Sequence, residues 1–161
     1  MDASRRSFLV NVAAGGTALA LFGRAQPVEA AAGPSLIDWL GWQDGLQRAA
    51  TEHKAIGLLI YADWCPHCRE LQPVWRDPET VRASRALVMI RQNADEQPAW
   101  LPQRFGQFGT YVPRMFFLRP DGTMAPEIQS GNPKYPYFYT PQHAEALHAA
   151  MKRAAGLGQK H

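Results

Sequence analysis

The residues of this chain best suited to covalent chemistry are its only two cysteines, Cys65 and Cys68, in the run Asp63-Trp64-Cys65-Pro66-His67-Cys68. Two thiols three positions apart either pair with each other or take part in thiol–disulfide exchange. Exchange needs a thiolate nucleophile, an accessible sulfur and a second thiol to resolve the mixed disulfide. His67, between them, can offer a hydrogen bond or a positive charge to a Cys65 thiolate. Other chemistries fit less well. A zinc site of four cysteines lacks its second pair, and His53, His143, His148 and His161 have no ligand spacing. Haem attachment needs histidine straight after the second cysteine, where Arg69 stands. A purely structural disulfide closing so short a loop would constrain little of the unfolded chain. Copper capture by Cys65, Cys68 and His67 stays open as a binding-module alternative. Trp64, Tyr61 and Trp75 read as core and site-wall packing.

A dithiol is useful only if the chain around it holds it still. Ile56 to Ala62 is a continuous apolar run, which predicts a central strand covered on both faces. A helix is expected from Cys65, with Pro66 in its first turn where a missing N–H does no harm. Its inner face is Leu71, Val74 and Trp75, and Pro73 should kink it. Cys65 would then sit at a helix N-terminus, where unpaired N–H groups favour an anion, with Cys68 deeper by one turn. Upstream, Leu36 to Trp42 reads as an edge strand or a docking turn, and Gln43 to His53 as a helix with Leu46, Ala49 and Ala50 inward. Downstream, Asp77–Thr80 starts a helical turn with Val81 and Leu87 packing behind it. Ala86 to Arg91 is a strand, and Pro98 to Phe108 a segment broken by Pro102. Val112 to Leu118 is a strand entered through Pro113, and Pro120-Asp121-Gly122-Thr123 turns it into a hairpin with Thr123–Ile128. Gly131 to Thr140 should wrap the surface. His143 to Ala155 is a helix with Ala144, Leu147, Ala150 or Met151, and Ala154 as its stripe. Crossovers before the hairpin imply parallel neighbours and the hairpin an antiparallel pair, a mixed sheet flanked by helices.

Apolar residues at 46% and charged residues at 19% place the chain among folded rather than disordered proteins. Residues 1–30 have the layout of an export signal: a charged start, an apolar run of about a dozen residues and a small-residue cut after Ala30 or Ala32. Ser4-Arg5-Arg6-Ser7-Phe8-Leu9 resembles the twin-arginine signal. At about 15 residues the apolar run is too short to span a bilayer comfortably, so no membrane anchor is expected after cleavage. Losing Arg5, Arg6 and Arg24 against Asp2 and Glu29 lowers the formal net charge from +3 to +2. No Lys/Arg cluster remains to read as a nucleic-acid surface. The expected layout is a signal at 1–30, a spacer at 31–38, one domain at 39–156 and a flexible tail at 157–161, exported to the periplasm as a monomer.

The pattern as a whole resembles the thioredoxin fold, an α/β mixed sheet flanked by helices. Trp64-Cys65-x-x-Cys68 looks like the family active site, Pro73 like the helix-kinking proline, and Val112-Pro113 like the cis-proline that faces the dithiol. Tyr111-Val112-Pro113-Arg114, the tyrosine-rich loop at 135–139 and the C-terminal helix resemble the small single-domain branch that includes the anterior-gradient proteins, over Trp39 to Arg153. The dipeptide Pro66-His67 instead matches the oxidase DsbA.

The resemblance implies a thiol–disulfide oxidoreductase acting on protein substrates with thiols or disulfides. Cys65 is then the nucleophile and Cys68 the resolving thiol, alternating between dithiol and a Cys65–Cys68 disulfide. Pro66 and His67 tune the thiolate, and Trp64, Val112 and Pro113 bind substrate. No cofactor is expected, but a membrane redox partner must recycle the site. A substrate-holding, chaperone-like module is the other binding alternative. The family's buried carboxylate, six residues before the first cysteine, is here Leu59. Its role falls to water, Asp63 or Glu70, or the site is tuned differently. Pro-His leans toward an oxidising disulfide and the rest of the scaffold toward a reducing one, so direction stays open.

Overall fold

A computed structural model of the protein describes residues 36–158. The expected signal segment and its cleavage positions lie outside the described residues. In chain order the elements are β1 (Trp39–Leu40), α1 (Trp42–Glu52), β2 (Ile56–Tyr61), α2 (Pro66–Glu70), α3 (Pro78–Ser84), β3 (Val88–Asn93), α4 (Trp100–Phe105), β4 (Arg114–Leu118) and α5 (Ala144–Ala155).

The four strands form one mixed sheet in the order β1-β3-β2-β4. Strand β2 is its spine, parallel to β3 with Tyr61 opposite Asn93, and antiparallel to β4 with Leu58 opposite Phe116. Side chains alternate across a strand, so both faces of β2 are covered. Ile56, Leu58 and Ile60 pack with Ile90, Phe116 and Leu118 beneath α1 and α4, against Trp42 and Phe105. On the other face Leu59 joins Met89, Met115 and Phe117 under Leu147 and Met151 of α5. That two-sided burial is why the run is apolar without alternation.

Several expectations shift. The antiparallel step falls at β2–β4, not only at a hairpin. The hairpin itself shrinks to one bridge, Leu118 with Met124, plus bonds from Arg119 N to Thr123 O (2.8 Å) and Ala125 N to Phe117 O (2.9 Å). Pro126 follows with no N–H to extend the ladder. On the outer side of β4, Met115 N also donates to Tyr137 O at 2.8 Å. The active-site helix is not kinked at Pro73 but stops at Glu70, and a 3-10 turn over Val74–Arg76 follows. The ring of Pro73 is incompatible with a helical carbonyl at Arg69, which instead accepts from Gln72 N at 3.0 Å. Leu71, Val74 and Trp75 are buried as expected. Pro102 does not break α4, because it lies in the first turn. The strand expected at 86–91 begins two residues later.

In α1 the buried positions are Trp42, Gly45 and Ala49, while Ala50 is exposed. Here glycine is a packing residue: a Cβ on Gly45 would lie 2.3 Å from Ile90 Cδ1, so its absence lets α1 approach β3. The 131–140 loop does more than wrap the surface, since Tyr137 and Tyr139 are buried in the two cores. Asp77 caps α3, its carboxylate accepting from Thr80 N (2.9 Å) and Glu79 N (3.0 Å), which holds its carboxyl below the usual range.

Candidate active site

Cys65 lies four positions after Tyr61, the last residue of β2, and is the N-cap of α2, in extended conformation with Pro66 next. That position aims Cys68 N at Cys65 Sγ, 3.3 Å away. From the opposite side, the Cys65 thiol donates to Val112 O at 3.5 Å, across the cis Val112–Pro113 bond. Both cysteines are thiols in this structure, and both are buried. With only five residues, α2 has little macrodipole to offer, so the direct N–H of Cys68 is the donor that faces the sulfur. Behind it, burial first and the hydrogen bond with Cys65 second push the Cys68 thiol up to about 12. The two sulfurs therefore differ in kind: Cys65 Sγ meets a backbone donor, while burial and its neighbour raise the pKa of Cys68.

His67 is exposed. Its Nδ1 sits 3.0 Å from Glu70 Oε2, and its ring stands edge-on to Phe138 at 5.4 Å. Among the described residues its hydrogen bond thus runs to Glu70 and not to Cys65. Trp64 is 64% exposed although large and apolar, and its indole N–H donates to Asp95 Oδ1 at 3.1 Å. Arg69 Nη1 reaches back to the carbonyls of Asp63 (3.0 Å) and Trp64 (3.1 Å), tying α2 to the strand end that carries Cys65. Asn93 Nδ2 donates to Asp63 Oδ2 at 3.0 Å. Leu59 lies in the apolar core, while Asp63 and Glu70 are exposed and already paired.

Three site residues escape a reading of the sequence alone. Asn93 and Asp95 arrive beside Asp63 and Trp64 because parallel pairing of β2 with β3 brings both strand ends to the same edge. The Tyr61–Asn93 register was the missing information. Arg114 is the third. It is buried, donates to Phe105 O (3.3 Å) and Gly109 O, and lies over Tyr111 (5.9 Å) and Phe116 (5.5 Å). Among the described residues its Nε has no hydrogen-bond partner, and burial lowers its pKa. Through Gly109 it fixes the backbone that leads into Tyr111 and Val112.

Among the described residues no group of three or more His, Cys, Asp or Glu side chains is placed to hold a metal ion. No helix among them is long and apolar enough to cross a membrane.

A family model described as Thioredoxin-like matches residues 38–120, just over half of the chain. Protein disulfide-isomerase A2 of Pongo abelii is 32% identical over 110 residues, 67% of this chain but only 19% of that protein. Anterior gradient protein 2 homolog of Mus musculus is 24% identical over 125 residues, covering 78% of this chain and 70% of its own length. The chain therefore spans about a fifth of the disulfide-isomerase it resembles. Among solved structures, one titled DsbH Oxidoreductase superposes with a TM-score of 0.51 at 19% identity, covering 86% of this chain and 95% of its own. At that identity the likeness is one of fold: a four-stranded mixed sheet between helices, as the sequence led us to expect.

Proposed function

The chain belongs to the thioredoxin-like family, and from that premise we propose that it is an exported thiol–disulfide oxidoreductase acting on protein substrates. The observation that carries this reading is the placement of Cys65 Sγ between Cys68 N–H and the Val112 carbonyl, with a buried second thiol one turn behind. As a reductase, the Cys65 thiolate attacks one sulfur of a substrate disulfide, forming a mixed disulfide and releasing one substrate thiolate, which takes up a proton. Cys68 then gives up its proton and attacks Cys65 Sγ, forming the Cys65–Cys68 disulfide and releasing the second substrate thiol. Two electrons pass from the dithiol to the substrate. Run backwards, the same steps oxidise a substrate dithiol.

Val112 and Pro113 supply the backbone against which a substrate segment lies, and Trp64 walls the other side. Pro66 fixes the first turn of α2, and His67, whose Nδ1 sits 3.0 Å from Glu70 Oε2, tunes the Cys65 thiolate. The twin-arginine-like start supports export to the periplasm with cleavage after Ala30 or Ala32, leaving one domain at 39–156. There a membrane dithiol or disulfide partner returns the site to its working state.

The test is direct. Purified protein should reduce insulin disulfides or oxidise a reduced peptide, and a Cys68→Ser variant should accumulate mixed disulfides through Cys65. Failure of both reactions would sink the proposal. Direction follows from the equilibrium with glutathione: a potential near thioredoxin's, about −270 mV, marks a reductase, and one near DsbA's, about −120 mV, an oxidase.

A further inference from the structure

The polar flank of the dithiol is occupied by its own bonds, Trp64 to Asp95 and Asp63 to Asn93. The opposite flank is different. Tyr111, Tyr135 and Phe138 form an aromatic arc with centroid distances of 5.0 Å (111–135), 6.5 Å (111–138) and 6.3 Å (135–138). Its inner end meets the His67 ring on α2, so it runs from the active-site helix to the backbone preceding Val112. The loop that carries the arc is held by its own hydrogen bonds. Asn132 Oδ1 accepts from both Lys134 N and Tyr135 N at 3.0 Å, Ser130 N donates to Pro136 O at 2.7 Å, and Tyr137 N donates to Tyr111 Oη at 3.3 Å. Yet Tyr135, at its outer end, is 37% exposed. Lys134 Nζ lies over its ring, 5.3 Å from the centroid, and the rest of the ring's outer surface meets solvent.

We infer that this arc is a selectivity surface, seating an aromatic or large apolar side chain that lies within about two residues of the substrate's reactive cysteine. The inference rests on the oxidoreductase reading and names its substrate class: extended segments with an aromatic residue close to the cysteine. The occupant follows from the chemistry. Exchange brings a substrate sulfur into bonding distance of Cys65 Sγ, which is 3.5 Å from Val112 O. Tyr111 is the next residue along, about 3.8 Å further in Cα trace. An extended substrate rises about 3.3 Å per residue, so the neighbours of its cysteine come within reach of these rings. Because the arc is held in advance, docking costs little ordering. Aromatic pairs add to the area they bury.

The experiment uses the reduced full chain and two linear peptides, each carrying one cysteine as its mixed disulfide with glutathione. They differ only in having Phe or Ser two residues to each side of the cysteine. Reaction yields peptide thiol, glutathione and the Cys65–Cys68 disulfide, and the second-order rate is followed by release of peptide thiol. The Phe peptide should react about fivefold faster or more. That ratio should fall below about twofold in Tyr135→Ala and survive in Tyr135→Phe. Equal rates for the two peptides, or a ratio untouched by Tyr135→Ala, would overturn the inference while leaving the oxidoreductase reading intact. Absence of reaction even with glutathione disulfide would instead sink that reading, and the inference with it.

Discussion

Helices α2 and α5 lie at opposite extremes of what a helix can be for. Helix α5 runs twelve residues and buries Leu147, Ala150, Met151 and Ala154 in one stripe. Helix α2 runs five residues and buries only Cys68. The first is held by apolar area removed from water. The second gains almost nothing that way. It is fixed by its ends, through the Cys65 cap and the bonds from Arg69 to the Asp63 and Trp64 carbonyls. Stability and chemistry are thus assigned to different helices, and a substitution should disturb one without the other.

The largest expected effect is on chemistry. Cys65→Ser should slow exchange with any disulfide by at least about a thousandfold, equivalent to about 4 kcal/mol, while shifting the denaturation midpoint little. A large loss of stability in that variant would break the division of labour. Leu147→Ala is the converse. Truncating a fully buried leucine should cost about 3 kcal/mol of unfolding free energy, read from urea denaturation. Exchange rates measured well below its melting temperature should stay within about twofold.

Smaller and sharper is a pH effect confined to the reduced form. Burial raises the Cys68 thiol from an ordinary 9.0 to about 12. Below the ordinary value both folded and unfolded chains keep the proton, so pH has no leverage. Above it the unfolded chain releases the proton while the folded chain holds it, and stability falls as pH rises. The oxidised protein has no such thiol. Parallel urea titrations of both forms between about pH 8 and 10.5 should diverge, and identical curves would refute the account. The smallest effect belongs to the exposed His67–Glu70 pair. Solvent screening limits it to about 1 kcal/mol or less, so Glu70→Gln should move the reduction potential by no more than about 20 mV. A shift several times larger would mean that this pair acts on the sulfur far more strongly than an exposed contact can.

The same contrast explains what could be read from the residues in order. The α5 stripe carries its burial in periodicity and the β2 run in unbroken apolarity, so both were legible, whereas a proline facing the dithiol was implied only by the resemblance to the thioredoxin fold. The Val112–Pro113 bond is cis, as that resemblance implies. Elements whose form depends on a neighbour were not legible. Pro73 announces a disturbance, but whether a helix bends or stops depends on what takes over the carbonyls of the preceding turn. Gly45 looks like a weak helix residue until Ile90 is set against it. Asn93 and Asp95 needed the strand register, and Arg114 needed the carbonyls of Phe105 and Gly109, five to nine residues away and free to accept it.

The outer side of β4 has a further consequence. Its ladder is partly taken by the chain's own Tyr137 and by the short return through Thr123 and Ala125, and the other margin of the sheet is a strand of two residues. Unpaired strand margins invite edge-to-edge association, a hazard for any protein that handles partly unfolded chains. Along β4 an added strand would find Met115 N and Phe117 O already bonded within the chain.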